Sequence, residues 1–125
     1  MSIRPQLAIE NLFDRRASER LRLSLPANIE TLEFVAPVLM LDLGPFGARM
    51  VLPYKPRLLD AQLRWLQFDA MGQIIWSADN ICGMKFNRPL SSLKLRRTAA
   101  ASPATDFGDT AEESNLVEAW IRDHS

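Results

Sequence analysis

Four arginines crowd the beginning of this chain, and they are Arg15, Arg16, Arg20 and Arg22. Arginine carries a permanent charge on a planar fork of donors, so the cluster has two interpretations: a solvated surface or an arm that binds an anion. Arg16 and Arg20 follow the spacing R-x-x-x-R and come directly before an alternating apolar stretch, residues 21–29. The arginine cluster is therefore predicted to lead straight into the first strand of a β domain.

A second candidate for binding chemistry is Asp42, which lies at a predicted turn between two strands. Residues 42–47 read DLGPFG, a strong turn signal that separates the apolar stretch 38–43 from the alternating stretch 48–53. Taken alone, Asp42 is most simply a turn former, and Gly44 and Gly47 are turn glycines.

The remaining residue types argue against an enzyme. The only histidine is His124, and no nucleophile–base pair, metal-ligand spacing or phosphate-binding loop is present. The single cysteine, Cys82, alternates with Met84 and Phe86, which is typical of core packing, and it cannot form an internal disulfide. With no apolar run of membrane-spanning length and no signal peptide, we expect a cytoplasmic protein.

Length and charge indicate one domain with two unlike ends. The chain has 125 residues with 15 basic and 15 acidic side chains, so no overall field favours nucleic acid or membrane. The charges are nevertheless segregated, because residues 1–25 are rich in arginine and residues 101–125 are rich in aspartate and glutamate. The three tryptophans fit a core better than a ligand site, and only Trp76 is a candidate for a barrel mouth.

Six short strands are predicted, at residues 21–29, 38–43, 48–53, 61–68, 72–78 and 81–86. Pro37 is expected to end the segment before the second strand, and turns are expected at residues 69–72 and 79–80. This spacing predicts an all-β fold, either a small antiparallel barrel or a sandwich.

Two helices are predicted after the strands. Ser91 or Ser92 can cap a short first helix, and a low-complexity linker, residues 98–108, follows it. Thr110 begins the second helix with a T-x-x-E capping box, whose glutamate is Glu113. The apolar side of this helix has two i,i+4 pairs, which are Leu116 with Trp120 and Val117 with Ile121. A helix this short is marginal alone, so we expect Trp120 to dock on the chain's own barrel, with a partner protein as the alternative.

In combination, three features resemble the PilZ domain family, bacterial receptors for the second messenger cyclic di-GMP. They are the R-x-x-x-R motif, the 42–47 turn, which is similar to D/N-x-S-x-x-G, and the closing hairpin at residues 72–86. The resemblance implies a six-stranded antiparallel β-barrel with a ligand site on its outer surface. It divides the chain into a lead (1–13), a PilZ domain (14–97), a linker (98–108) and an acidic amphipathic helix (109–125).

The resemblance also implies a set of cyclic di-GMP-binding residues: Arg15, Arg16, Arg20, Asp42, Gly44 and Gly47. Arginine forks suit phosphates and the guanine edge, and Asp42 can accept hydrogen bonds from guanine N–H groups. Gly47 would provide either a positive φ or room for close approach. Gly44 stands where the family motif has serine, so one hydroxyl contact is missing.

The function implied is a receptor, with no catalytic activity and no cofactor, that changes the conformation of its arm on binding and signals to an unidentified protein partner. The alternative is a degenerate PilZ adaptor that binds protein only. A nucleic-acid module built on RRxxxRxR is disfavoured by the zero net charge.

Overall fold

The computed structural model describes residues 20–52, 59–101 and 110–124. Its elements are β1 (Leu21–Glu30), β2 (Val35–Leu43), β3 (Gly47–Val51), β4 (Leu59–Trp65), β5 (Phe68–Ala78), β6 (Ile81–Phe86), α1 (Ser92–Ala101) and α2 (Thr110–His124). The strands pair antiparallel in the order β1-β2-β3-β6-β5-β4, and β1 pairs with β4 to close a barrel. The expected six-stranded antiparallel barrel followed by two helices is confirmed.

Alternating apolar residues fill the barrel interior. In β1 the inward positions are Leu23, Ala27 and Ile29, as the period of two predicts. Met40, Leu63 and Trp65 meet them from β2 and β4 in the same cluster. One contiguous core therefore lies inside the barrel, and ligand chemistry is left to the outer surface.

Two strand boundaries differ from expectation. The β4–β5 turn is at residues 66–67, where Leu66 has φ 52°, and the predicted turn at 69–72 lies inside β5, where Gly72 pairs with Ala61. The aspartate and glycine there were misleading turn signals. Pro37 does not end a segment but lies within β2, opposite Asn28 of β1. It fits because pairing with β3 begins only at Leu39, so no partner on that side needs the missing N–H.

Helix α1 closes one end of the barrel. Ser91 Oγ accepts a hydrogen bond from Lys94 N at 3.2 Å, so the predicted serine cap is confirmed at Ser91. Trp65 Nε1 donates to Thr98 Oγ1 at 2.9 Å, and Thr98 Oγ1 donates to Lys94 O at 2.8 Å. Because Thr98 is buried against the barrel, the helix continues to residue 101 and includes the first residues of the predicted linker.

Helix α2 packs on the outer face of the barrel. Val117 is buried against Leu39, Leu41 and Val51, and Trp120 packs on the same cluster, so the predicted docking of Trp120 is confirmed. This contact explains why β2 is apolar on both faces: its inner side faces the core and its outer side faces α2. Of the helices that the structure describes, none has the length and apolar character needed to cross a membrane.

Candidate ligand-binding cleft

A cleft of about 880 Å³ lies on the outer surface of the barrel, beside the 42–47 turn. Its volume is in the range of small-molecule sites. The cleft brings together Arg20, Asp42, Gly44 and Gly47, four of the six site residues predicted from the sequence. The other two, Arg15 and Arg16, lie outside the described residues.

Strand register places an arginine on each side of Asp42. Asp42 on β2 is opposite Arg22 on β1 and opposite Arg49 on β3. Cross-strand neighbours of opposite charge attract, and here the attraction is strong because the Asp42 side chain is only 3% exposed. Asp42 Oδ2 accepts a hydrogen bond from Arg49 Nε at 2.9 Å and lies 3.8 Å from Arg20 Nη1.

A β-bulge turns Asp42 towards the cleft. Met40 is opposite Met50 and Asp42 is opposite Arg49, so Leu41 is an extra residue in β2. Leu41 packs beneath α2, Asp42 lines the cleft, and the next residue of β2 returns to the core. An unbroken alternation would not allow this arrangement.

The second carboxylate oxygen of Asp42 has a different environment. Asp42 Oδ1 is buried and has no hydrogen-bond partner within the described parts of the chain. A buried acceptor without a donor costs about 1–3 kcal/mol, so a donor supplied from the cleft would bind it favourably. Asp42 thus holds Arg49 with one oxygen and keeps the other as an unused acceptor, which a ligand N–H can reach only when the groups that cover it move.

An exposed tryptophan forms another wall of the cleft. A second bulge, in β5, makes both Ile75 and Trp76 outward-facing, and Trp76 remains 44% exposed. The Trp76 ring lies over Gly83, where an added Cβ would be 2.3 Å from Trp76 Nε1. Gly83 therefore seats the ring, and the ring offers a flat surface on which a planar base can stack.

The 42–47 turn is fixed by backbone hydrogen bonds to other elements. Phe46 O accepts from Phe86 N at 2.8 Å, and Pro45 O accepts from Leu90 N at 2.8 Å. The expectation of a positive φ at Gly47 is wrong, since no glycine within the described residues has one. Gly47 does permit a close approach, but to strand β6: an added Cβ would collide with Met84 O, and its predicted role towards a ligand stays a prediction.

Gly44 has more space than Gly47. An added Cβ would lie 3.4 Å from Arg20 Cγ, which is ordinary contact with a flexible side chain. A serine hydroxyl could therefore be accommodated here, beside the stem of Arg20.

A glutamate of α2, Glu113, binds two arginines that line the cleft. Glu113 binds Arg49 through both oxygens, with Oε1 2.9 Å from Nη1 and Oε2 2.8 Å from Nη2, and Oε2 lies 3.8 Å from Arg22 Nη2. The hydrogen bond from Arg49 lowers the pKa of Glu113 against the opposing effect of burial. The capping box predicted for this glutamate involves Thr110, whose side chain lies outside the described part of the structure; the contact that the structure describes is with Arg49.

The predicted set of binding residues left out Arg22, Arg49 and Trp76, which line the cleft, and Glu113, which binds Arg49. Arg22 belongs to the arginine cluster noted in the sequence, but only the register of β1 and β3 with Asp42 places Arg22 and Arg49 at the cleft. Trp76 depends on a bulge that no local pattern indicates. Glu113 comes from an element far along the chain.

Comparison with known proteins addresses the fold. Neither the protein-family models nor the curated proteins give a match to this sequence. Among solved structures, the PilZ domain of CeSA from a cellulose-synthesizing bacterium matches with a TM-score of 0.53 and 12% identity, over 66% of this chain and 95% of that one. An uncharacterised Legionella protein matches with a TM-score of 0.39 and 15% identity, over 66% and 87%. Of these two, the first is similar enough to carry an argument, and it shows the fold alone.

The Glu113–Arg49 pair predicts a pH-dependent contribution to stability. The pKa of Glu113 is lowered in the folded state, so its charged form stabilises the fold. This stabilisation is complete at pH values above the ordinary glutamate pKa, and it is lost as pH falls through the lowered pKa. Glu113→Gln should reduce the free energy of unfolding by about 1 kcal/mol at neutral pH, and the difference should shrink as pH falls below the ordinary glutamate range. Urea unfolding at a series of pH values measures it.

The matched control for this measurement is Glu118→Gln, an exposed position on the same helix. It should leave stability unchanged at every pH. Equal stability of Glu113→Gln and the parent at neutral pH would show that the ion pair does not hold α2.

Proposed function

We propose that this chain, whose barrel has the PilZ-type fold, is a non-catalytic receptor for cyclic di-GMP that signals to a protein partner. The observation that carries the proposal is the carboxylate of Asp42, buried in the cleft between arginines with one oxygen unpartnered among the described residues. This group suits a ligand that presents N–H donors and negative charge together. Cyclic di-GMP has both, in its guanine edges and its phosphates.

Each part of the cleft matches a part of that ligand. Asp42 Oδ1 can accept from a guanine edge, and the exposed ring of Trp76 can stack on a base. Arg20 can bind a phosphate or the guanine O6 and N7 atoms. Its side chain is 50% exposed and 3.8 Å from Asp42, so this weak pair costs little to rearrange.

The glycine at position 44 weakens this site without removing it. A missing hydroxyl contact is worth about 0.5–1.5 kcal/mol, or roughly two- to tenfold in affinity. The arginines and Asp42 remain in the cleft and would carry most of the binding. We therefore infer a receptor of reduced affinity.

A second candidate function is an adaptor of the same fold that binds protein and no nucleotide. Glu113 favours it, because an internal carboxylate already neutralises Arg49 and lies near Arg22. Calorimetric titration of the parent chain with cyclic di-GMP separates the two functions: measurable heat of binding supports the receptor, and its absence at millimolar nucleotide supports the adaptor.

Arg16 and Arg20 should be required for nucleotide binding and dispensable for folding. A charge-assisted contact contributes about 1.5–3 kcal/mol, so Arg16→Ala or Arg20→Ala should weaken binding roughly ten- to a hundredfold. Surface changes of this kind alter stability by only about 0.5 kcal/mol. Calorimetric titration and a thermal melt of each variant test both statements.

The matched control for these variants is Arg97→Ala, which removes the same charge from the exposed side of α1. Its affinity and melting temperature should equal those of the parent. Parent-like affinity in Arg16→Ala and Arg20→Ala would eliminate the arginine arm as the ligand clamp.

Gly44→Ser should tighten cyclic di-GMP binding severalfold, because the cleft has room for the added hydroxyl beside Arg20. Gly44→Ala is the control, since it adds the Cβ without the hydroxyl. Titration of both variants separates the two effects. If serine and alanine shift the affinity equally, the hydroxyl contributes nothing and the backbone alone matters here.

A further inference from the structure

The contact between Glu113 and Arg49 has the geometry of ligand recognition. Both carboxylate oxygens meet the two terminal nitrogens of one guanidinium, at 2.9 and 2.8 Å, which is the bidentate arrangement that arginine also makes with phosphate. Arg22 approaches the same carboxylate from β1 at 3.8 Å. One acidic group is thus held by two arginines that also line the candidate cleft.

This pair of arginines is continuous with the predicted ligand site. Arg49 binds Asp42 through Nε and Glu113 through Nη1 and Nη2, so one side chain joins the two carboxylates. The charge that Glu113 neutralises therefore lies next to the oxygen of Asp42 that we assign to a guanine edge. A ligand with both a guanine and a phosphate can reach both positions.

Apart from the ion pairs of Glu113, the described side chains of helix α2 contact the barrel through one apolar cluster. Among its described side chains, Val117 is buried, while Leu116, Trp120 and Ile121 are partly buried. A single helix of this length is marginal without such packing. Its docked and released states can therefore differ by only a few kcal/mol, which a competing ligand can supply.

We infer that Arg22 and Arg49 form an anion subsite beside Asp42, and that Glu113 fills this subsite as a tethered substitute for a phosphate of the incoming nucleotide. This inference rests on the proposed function, because it takes cyclic di-GMP as the nucleotide. Binding and docking of α2 then exclude each other. Release of the helix uncovers Leu39, Leu41 and Val51, an apolar strip that a protein partner can bind.

Because the competition is reciprocal, it can be measured either as nucleotide affinity or as docking of α2. If nucleotide loosens α2, then any change that loosens α2 must tighten nucleotide binding, by at most the factor by which docking is weakened. Coupling free energies of this kind commonly correspond to about five- to 150-fold. Glu113→Gln removes the competing charge and leaves every arginine in place.

The test is calorimetric titration of the full chain and two variants with cyclic di-GMP. Glu113→Gln should bind severalfold more tightly than the parent, up to about fivefold, which corresponds to the loss of about 1 kcal/mol expected for the ion pair. Glu118→Gln, the matched control on the exposed side of α2, should bind like the parent. Hydrogen exchange of residues 110–124 in the parent should become faster when nucleotide is saturating.

A second variant is needed because the oxygen of a glutamine at position 113 can still accept a hydrogen bond from Arg49. Val117→Asp places a charge in the apolar contact and should undock α2 while Glu113 stays intact, so it should also tighten binding. Thermal melting in the absence of nucleotide verifies that its barrel is folded. Parent-like affinity in both Glu113→Gln and a folded Val117→Asp, with unchanged exchange of α2, would overturn the subsite while leaving the receptor function standing.

The remaining outcomes also decide the matter. No binding by the parent or by either variant at millimolar nucleotide would refute the receptor function and the subsite with it. Binding by the variants when the parent shows none would support both, with α2 as a complete block.

Discussion

The burial of one carboxylate, that of Asp42, constrains the rest of this surface. A carboxylate out of water is costly unless cations and donors surround it, and here Arg49 and Arg20 supply them. Arg49 is in turn held by Glu113, so charges alternate from the cleft to the C-terminal helix. Each of these charged side chains is stabilised by the next one, so a ligand that binds one of them changes the ion pairs of the others.

The barrel positions this row by departing from regular pairing. Bulges in β2 and β5 place Asp42 and Trp76 on the outer surface without disturbing the apolar interior. Close approach of strands at Gly47 and Gly83 shapes the two walls, because any side chain there would collide with Met84 or Trp76. The residues of the candidate site are thus positioned by bulges and glycines, which interrupt an otherwise regular barrel.

The sequence predicted what depends on local periodicity. Alternation identified β1, the Asp79–Asn80 turn preceded β6 as expected, and the i,i+4 apolar pairs identified α2. It failed where the signal is non-local or ambiguous: Asp69 and Gly72 suggested a turn inside β5, and nothing along the chain shows that Arg22 and Arg49 flank Asp42. Register across strands creates that arrangement, and the partner of Arg49, Glu113, lies 64 residues further along the chain.

The central claim, that the Asp42 cleft binds cyclic di-GMP, is tested most directly by the three tryptophan indole signals in a proton–nitrogen NMR titration. Trp76 lines the cleft, Trp120 lies on α2, and Trp65 is buried with its indole bonded to Thr98. The account predicts that nucleotide shifts the Trp76 and Trp120 signals and leaves Trp65 in place as an internal control. A Trp76 signal that does not move at millimolar nucleotide would contradict the account.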